Sequence, residues 1–132
     1  TARTLHASSS IFVGPTAVER RQVGCVRYSY LPITSTAPRR FRCQPEGDAT
    51  AGRIFPTFVS TDSGDPGYAM LRPTCPPQIA EGAEGESEMG AWRFLQAPRR
   101  LRNLRLALEE YLRFGLEAGI FSAPQQPAGS AP

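Results

Sequence analysis

Chain breakers are spaced so densely here that the sequence leaves room for only one long regular element. Thirteen prolines and twelve glycines stand among 132 residues, about a fifth of the chain where average usage is roughly 12%. Proline removes a backbone donor and fixes φ, and glycine weakens any helix or strand it interrupts. Text punctuated in this way excludes a coiled coil and a helical bundle, and the glycines lack the every-third spacing of collagen. No apolar run approaches the ~18 residues that a membrane span needs.

Between the breakers the chain reads mainly as short strands. Residues 4–12 alternate loosely, with Leu5, Ala7, Ser9 and Ile11 on one face. Gly14-Pro15 ends that run. Residues 17–31 form a second β-rich segment, in which Val18, Val26, Tyr28 and Tyr30 share one parity and Val23, Cys25 and Leu31 the other. Both parities are partly apolar, as in a strand covered on two sides. Leu5 and Val26 lie 21 residues apart, the scale of one coil of a parallel β-solenoid. A single offset is not a repeat, and stacked folds need about three units to bury a core. A solenoid here would be represented by its last coil.

Residues 32–38 read as a loop, 39–44 as a short strand closed by Pro45, and 46–52 as a turn. Residues 53–60 read as a strand that Pro56 confines to an edge or a bulge. Ser63 to Gly67 is a turn signal, and 68–71 a further strand. Residues 77–81 predict one helical turn begun by proline. Residues 82–90, acidic and glycine-rich, read as an irregular excursion over the surface, anchored by the apolar run 91–95. The clearest element is a helix from about 98 to 114. Leu101, Leu104, Leu108, Tyr111, Leu112 and Gly115 fall on one stripe at helical spacing, with Arg102, Arg105, Glu109 and Arg113 outside it. Gly115 is placed to end it. Residues 116–121 read as a closing strand or apolar cap, and 122–132 as a low-complexity tail.

All fifteen basic residues are arginine. Arginine suits forked contacts to phosphate or carboxylate, but alanine-, proline- and glycine-rich text is also what a GC-rich genome encodes, and that is the simpler source. Residues 1–60 carry net +5, 61–90 net −5 and 91–132 net +3. An acidic stretch between two basic ones fits internal charge matching, so nucleic acid is not an expected partner. The doublets Arg20-Arg21, Arg39-Arg40 and Arg99-Arg100 read as surface pairs facing acids such as Glu84, Glu86 and Glu88. Cys25, Cys43 and Cys75 are too far apart for a zinc knuckle or a redox pair and read as free thiols of a reducing compartment, with a Cys25–Cys43 bridge as the alternative. The chain opens Thr1-Ala2-Arg3 with β-like text at once, which predicts a piece of a longer protein.

Candidate chemistry is sparse. Asp62, Asp65, Glu81, Glu84, Glu86 and Glu88 form the one carboxylate cluster in the sequence. A pair of carboxylates can serve as acid and base, and several can hold calcium, but the EF-hand alternation is missing. His6 stands beside Ser8, Ser9 and Ser10 with no Gly-x-Ser-x-Gly elbow and no nearby acid to orient it. Tyr28, Tyr30, Phe41, Phe55, Phe58, Tyr68, Trp92 and Phe94 could line a sugar platform, but a small chain with few aliphatics is expected to use them as core. The candidate ligand-contact residues are Trp92, Tyr68, Asp62, Asp65, Glu86 and Glu88. No catalytic set, metal site or cofactor is expected.

Three groups of residues carry a resemblance. The run Val18 to Pro32 with Thr36 to Pro45, the segments Gly64 to Ala69 and Gly85 to Ala91, and Tyr111 to Phe121 resemble the C-terminal region of large bacterial β-helix-containing proteins of unassigned function. The resemblance covers roughly residues 4–121 and implies β-helix coils upstream and, for some members, a place beside phage-tail-like gene clusters. It implies no catalytic residue.

The combined expectation is a mainly β (α+β) chain, the end of a parallel β-helix or solenoid-like sheet capped by a C-terminal amphipathic helix. Residues 1–31 would be the last coil, 32–121 the capping region and 122–132 the tail. The expected role is structural or adhesive, in a phage-tail-like or surface assembly. Its partners would be other subunits or upstream coils of the same chain. The alternatives are a carbohydrate-active or carbohydrate-binding β-helix protein with its site partly upstream, and a polyanion binder, against which the acidic middle weighs.

Overall fold

The computed structural model describes residues 1–121, so the expected tail lies outside the described residues. Three short strands form one parallel sheet in the order β1-β2-β3. They are β1 (Leu5–Ser8), β2 (Gly24–Arg27) and β3 (Arg39–Phe41). Two single-turn helices, α1 (Asp48–Ala51) and α2 (Pro77–Ala80), and a long helix α3 (Ala97–Tyr111) follow. The result is a small mixed α/β arrangement with less strand than the alternation predicts.

The register differs from the expected one. Leu5 pairs with Gly24, and Val26 pairs with Ala7, an offset of nineteen residues rather than 21. The reason lies at Gly24, whose φ is +111°; a Cβ there would run into the carbonyl oxygen of Leu5. Only glycine lets the two backbones approach so closely at that φ. β3 then stacks on β2, with Val26 opposite Arg40.

Each strand ends in the same way. Ser9, Tyr28 and Arg42 follow β1, β2 and β3 directly and have φ of 52°, 49° and 48°. A left-handed residue without glycine is uncommon and turns the chain sharply. Two residues past each bend the three segments pair again in parallel, Ile11 with Tyr30 and Tyr30 with Gln44. Before the strands, Ala17 pairs with Thr36, again nineteen residues on. Side chains follow the stacking: Ser29 Oγ accepts from the Ser10 N–H and Ser35 Oγ from the Thr16 N–H.

The interior is aliphatic rather than aromatic. Val18, Val26, Leu31, Ile54, Ile79 and Met89 are buried, while Phe41, Phe55, Tyr68, Phe94, Tyr111 and Phe121 are exposed. Of the aromatic residues proposed as core, Tyr30 is buried, in a cluster with Ile54, Cys75, Ile79, Ala83 and Met89, to which Ile11 and Leu71 add. The 82–90 segment is thus part of the core rather than a surface excursion. Gly82 packs so tightly on the end of α2 that a Cβ would strike the Gln78 carbonyl. Met89 and Gly90 donate to Ile79 and Ser9 carbonyls.

The strands expected at 53–60 and 68–71 reduce to isolated bridges, Phe58 with Leu71 and Ser60 with Tyr68. Pro56 has no N–H to give, and Ala69, at φ 57°, bends the second arm. Nor do residues 116–121 form a strand.

The helix is where expected but starts at Ala97 and stops at Tyr111, because Leu112 is extended (φ −71°, ψ 131°). Gly115 comes later, in a turn closed by the Leu116 N–H on the Arg113 carbonyl. Its leucines do not cover the sheet: none of its residues is buried. The residues that pack on Ile11 and Tyr30 come instead from the 54–89 stretch.

Candidate functional site

Residues 57–72 fold back on themselves as a narrow loop. Val59 donates to the Met70 carbonyl and Arg72 to that of Thr57. Its tip is a double turn held by two aspartates: Asp62 Oδ1 accepts from the Gly64 N–H and Asp65 Oδ1 from the Gly67 N–H. Short acidic side chains that satisfy backbone donors two residues on are turn builders. The turn delivers Tyr68, whose N–H donates to the Asp65 carbonyl.

Tyr68 meets the second aromatic. Trp92 Nε1 donates to the Tyr68 carbonyl oxygen at 2.7 Å. Trp92 precedes a 3-10 turn (Arg93–Leu95) that brings Phe94 alongside, with ring centroids 5.8 Å apart and planes 31° from parallel. Trp92 is half-buried and Phe94 is 72% exposed. Tyr68 joins the Trp92–Phe94 ring pair through its backbone carbonyl, and the side chains of Tyr68 and Phe94 are exposed.

Phe94 is also one wall of an open cleft of about 370 Å³ between the acidic segment and the start of α3. Arg93, Arg99, Gln96, Glu84 and Ser87 line it. Arg93 is braced, its Nε donating to Ser87 Oγ and its Nη2 to the Glu84 carbonyl. A second open cleft, of about 380 Å³, lies beyond β3 between Arg40, Phe41, Arg42 and Glu46. There the Arg42 guanidinium sits 5.8 Å from the Phe41 ring centre, within cation–π range.

The expected contact residues therefore divide. Tyr68, Trp92, Asp62 and Asp65 come together at one end of the molecule. Glu86 turns away to Arg102 on α3, with its Oε2 3.3 Å from Arg102 Nη1. Glu88 is only 6% exposed. Burial pushes its carboxyl above the ordinary carboxylate range. Glu81 and Glu86 meet on the Arg102 guanidinium, and no group of three metal-ligating side chains occurs among the described residues. His6 is exposed, and the buried hydroxyls of Ser8 and Ser9 have no hydrogen-bond partner. All three cysteines are free thiols; Cys43 Sγ donates to the Val26 carbonyl.

Sequence reasoning missed Arg93, Gln96 and Arg99 as neighbours of the aromatics. The left-handed break at Gln96 (φ 49°) between the 3-10 turn and α3 places them there, and no local pattern marks it. Comparison with known proteins returned no matching family model, curated protein or solved structure.

Proposed function

We propose that the chain is a non-catalytic structural domain at the end of a stack of parallel β coils, in a tail-like or surface assembly. The observation that supports it is parallel pairing repeated over three successive levels. The first level pairs with the second at Ala2–Val18, Leu5–Gly24 and Ile11–Tyr30, sixteen to nineteen residues apart. The second pairs with the third at Ala17–Thr36, Cys25–Arg39 and Tyr30–Gln44, fourteen to nineteen residues apart. The matching left-handed bends at Ser9, Tyr28 and Arg42 are what a chain needs to turn the same corner at each level. Repeat stacks require a terminal unit that closes their core, and the packing of residues 54–89 on Ile11 and Tyr30 has that form.

Among the described residues no strand pairs with the edge of β1 that faces away from β2, and an unpaired strand edge invites another strand. Adding designed nineteen-residue coils ahead of Thr1 tests the reading. Stacking on β1 raises the thermal midpoint and protects the amides of Leu5 to Ser8 from hydrogen exchange. No gain in either measurement rejects it.

A second reading, carbohydrate binding, is favoured by the Trp92–Phe94 ring pair, whose Phe94 is largely exposed. A glycan array with the native chain and Trp92→Ala separates the two. Glycan binding lost in the variant selects the sugar reading, and no binding by the native chain removes it.

A further inference from the structure

Helix α3 is the one long element that the fold does not use to build its core. Leu101, Leu104 and Tyr111 are 42%, 47% and 83% exposed. With Leu108 they follow a three-four-three spacing, which is the seam of a two-helix contact. The opposite side is the one tied to the body, through Arg102 to Glu81 and Glu86. Three of the four seam residues are thus exposed, and Leu108 is half-buried.

The helix is also poorly supported at its start. It has no side-chain cap and no acid in its first turn, which holds Arg99 and Arg100 instead. Cations there oppose the helix dipole. A helix of this length with no buried residue is marginal in water, so it has most to gain from a partner.

The flanks of the seam say which partner. Arg100 and Arg105 occupy the two positions beside the leucines, and residues 97–105 hold four arginines and no acid. A second copy in parallel would set Arg100 against Arg105 of its twin. An antiparallel copy would leave Glu109 and Glu110 one position too far out. We infer that the exposed side of α3 is a docking surface for an acidic amphipathic helix of another protein, with leucine-like residues filling the seam and carboxylates meeting Arg100 and Arg105. The inference does not depend on the stacked-coil reading.

The test uses the full chain and two labelled 21-residue synthetic helices, alike in their leucine seam, one with Glu and one with Lys at every flanking position. By fluorescence anisotropy the Glu peptide binds at least tenfold more tightly than the Lys peptide at low salt, and the gap narrows at high salt. Bound chain gains helical circular dichroism. Leu104→Asp abolishes binding, and the double variant Arg100→Glu with Arg105→Glu reverses the preference. Because both arginines are exposed, the double variant stays informative even if Leu104→Asp does not fold. Equal binding of the two peptides, binding of neither, or a preference that survives the charge reversal overturns the inference. So does a dimer of the chain alone in sedimentation equilibrium that Leu104→Asp dissociates, since the occupant would then be a second copy.

Discussion

The stacked strands and helix α3 hold similar apolar side chains and treat them in opposite ways. β2 lies between two neighbouring levels, and Val26 within it and Leu31 beyond it are fully buried. In α3 the backbone hydrogen bonds close within the element, so the helix need not recruit the sheet to pair its backbone, and it leaves most of its leucines in solvent. A parallel strand has no such independence, because its donors and acceptors are met only by the next level. Burial thus follows the element that must recruit neighbours, not the element with the clearest hydrophobic pattern.

Truncating one side chain from each region tests this directly. Leu31→Ala should cost about 3 kcal/mol, the usual loss for a buried leucine. Leu104→Ala should stay within about 0.5 kcal/mol, as for an exposed site. Urea unfolding measures both. Comparable losses would mean that α3 lies packed in solution, and the contrast would fail.

Next in size is the close approach that sets the strand register. Gly24→Ala places a methyl against the Leu5 carbonyl at a φ of +111° and should cost about 2 kcal/mol. Gly52→Ala, where a Cβ meets open space, is the control and should be close to neutral. A harmless Gly24→Ala would show that the nineteen-residue register can slip.

The acidic segment joins the two regions, and Glu88 is its buried member. Its carboxyl titrates above the ordinary carboxylate value because burial disfavours the charge. The native state therefore holds its proton to a higher pH than the unfolded chain does. Its contribution to stability is present below the unfolded value and falls as pH rises toward the folded one. Glu88→Gln should remove that fall and stabilise the neutral-pH protein by about 1 kcal/mol. Thermal midpoints of both proteins between pH 4 and 7 check the sign. A variant less stable at pH 7 would mean that the charged carboxylate is held by a partner.

Much of this fold was legible in particular residues. The breaks at Gly14-Pro15 and Pro45, the helical turn at Pro77 and the start of α3 all follow from local chemistry. Parallel stacking was visible only as one offset, 21 residues, and the structure puts it at nineteen because Gly24 alone admits Leu5 so closely. The bends at Ser9, Tyr28 and Arg42 left no mark, since none is glycine, asparagine or aspartate. Acidic, glycine-rich text hid Ala83 and Met89, two core residues. At the site, Tyr68 and Trp92 were found by residue type. Their pairing came through a backbone carbonyl, which no side-chain pattern encodes.

The smallest expected effect concerns the tie between the regions. Arg102 reaches Glu81 at 3.7 Å and Glu86 at 3.3 Å, all three side chains being well exposed. Exposed ion pairs contribute about 0–1 kcal/mol, so Arg102→Ala should move the global unfolding midpoint hardly at all. Its effect should fall on α3 alone. Freed from Glu81 and Glu86, the helix keeps its uncapped, arginine-bearing start and loses both of these carboxylate contacts. Backbone amides of Ala107 to Tyr111 should then exchange faster while those of β2 stay protected. Equal acceleration in both regions would show that α3 and the strands unfold as one unit, and that the ion pairs transmit stability rather than orientation.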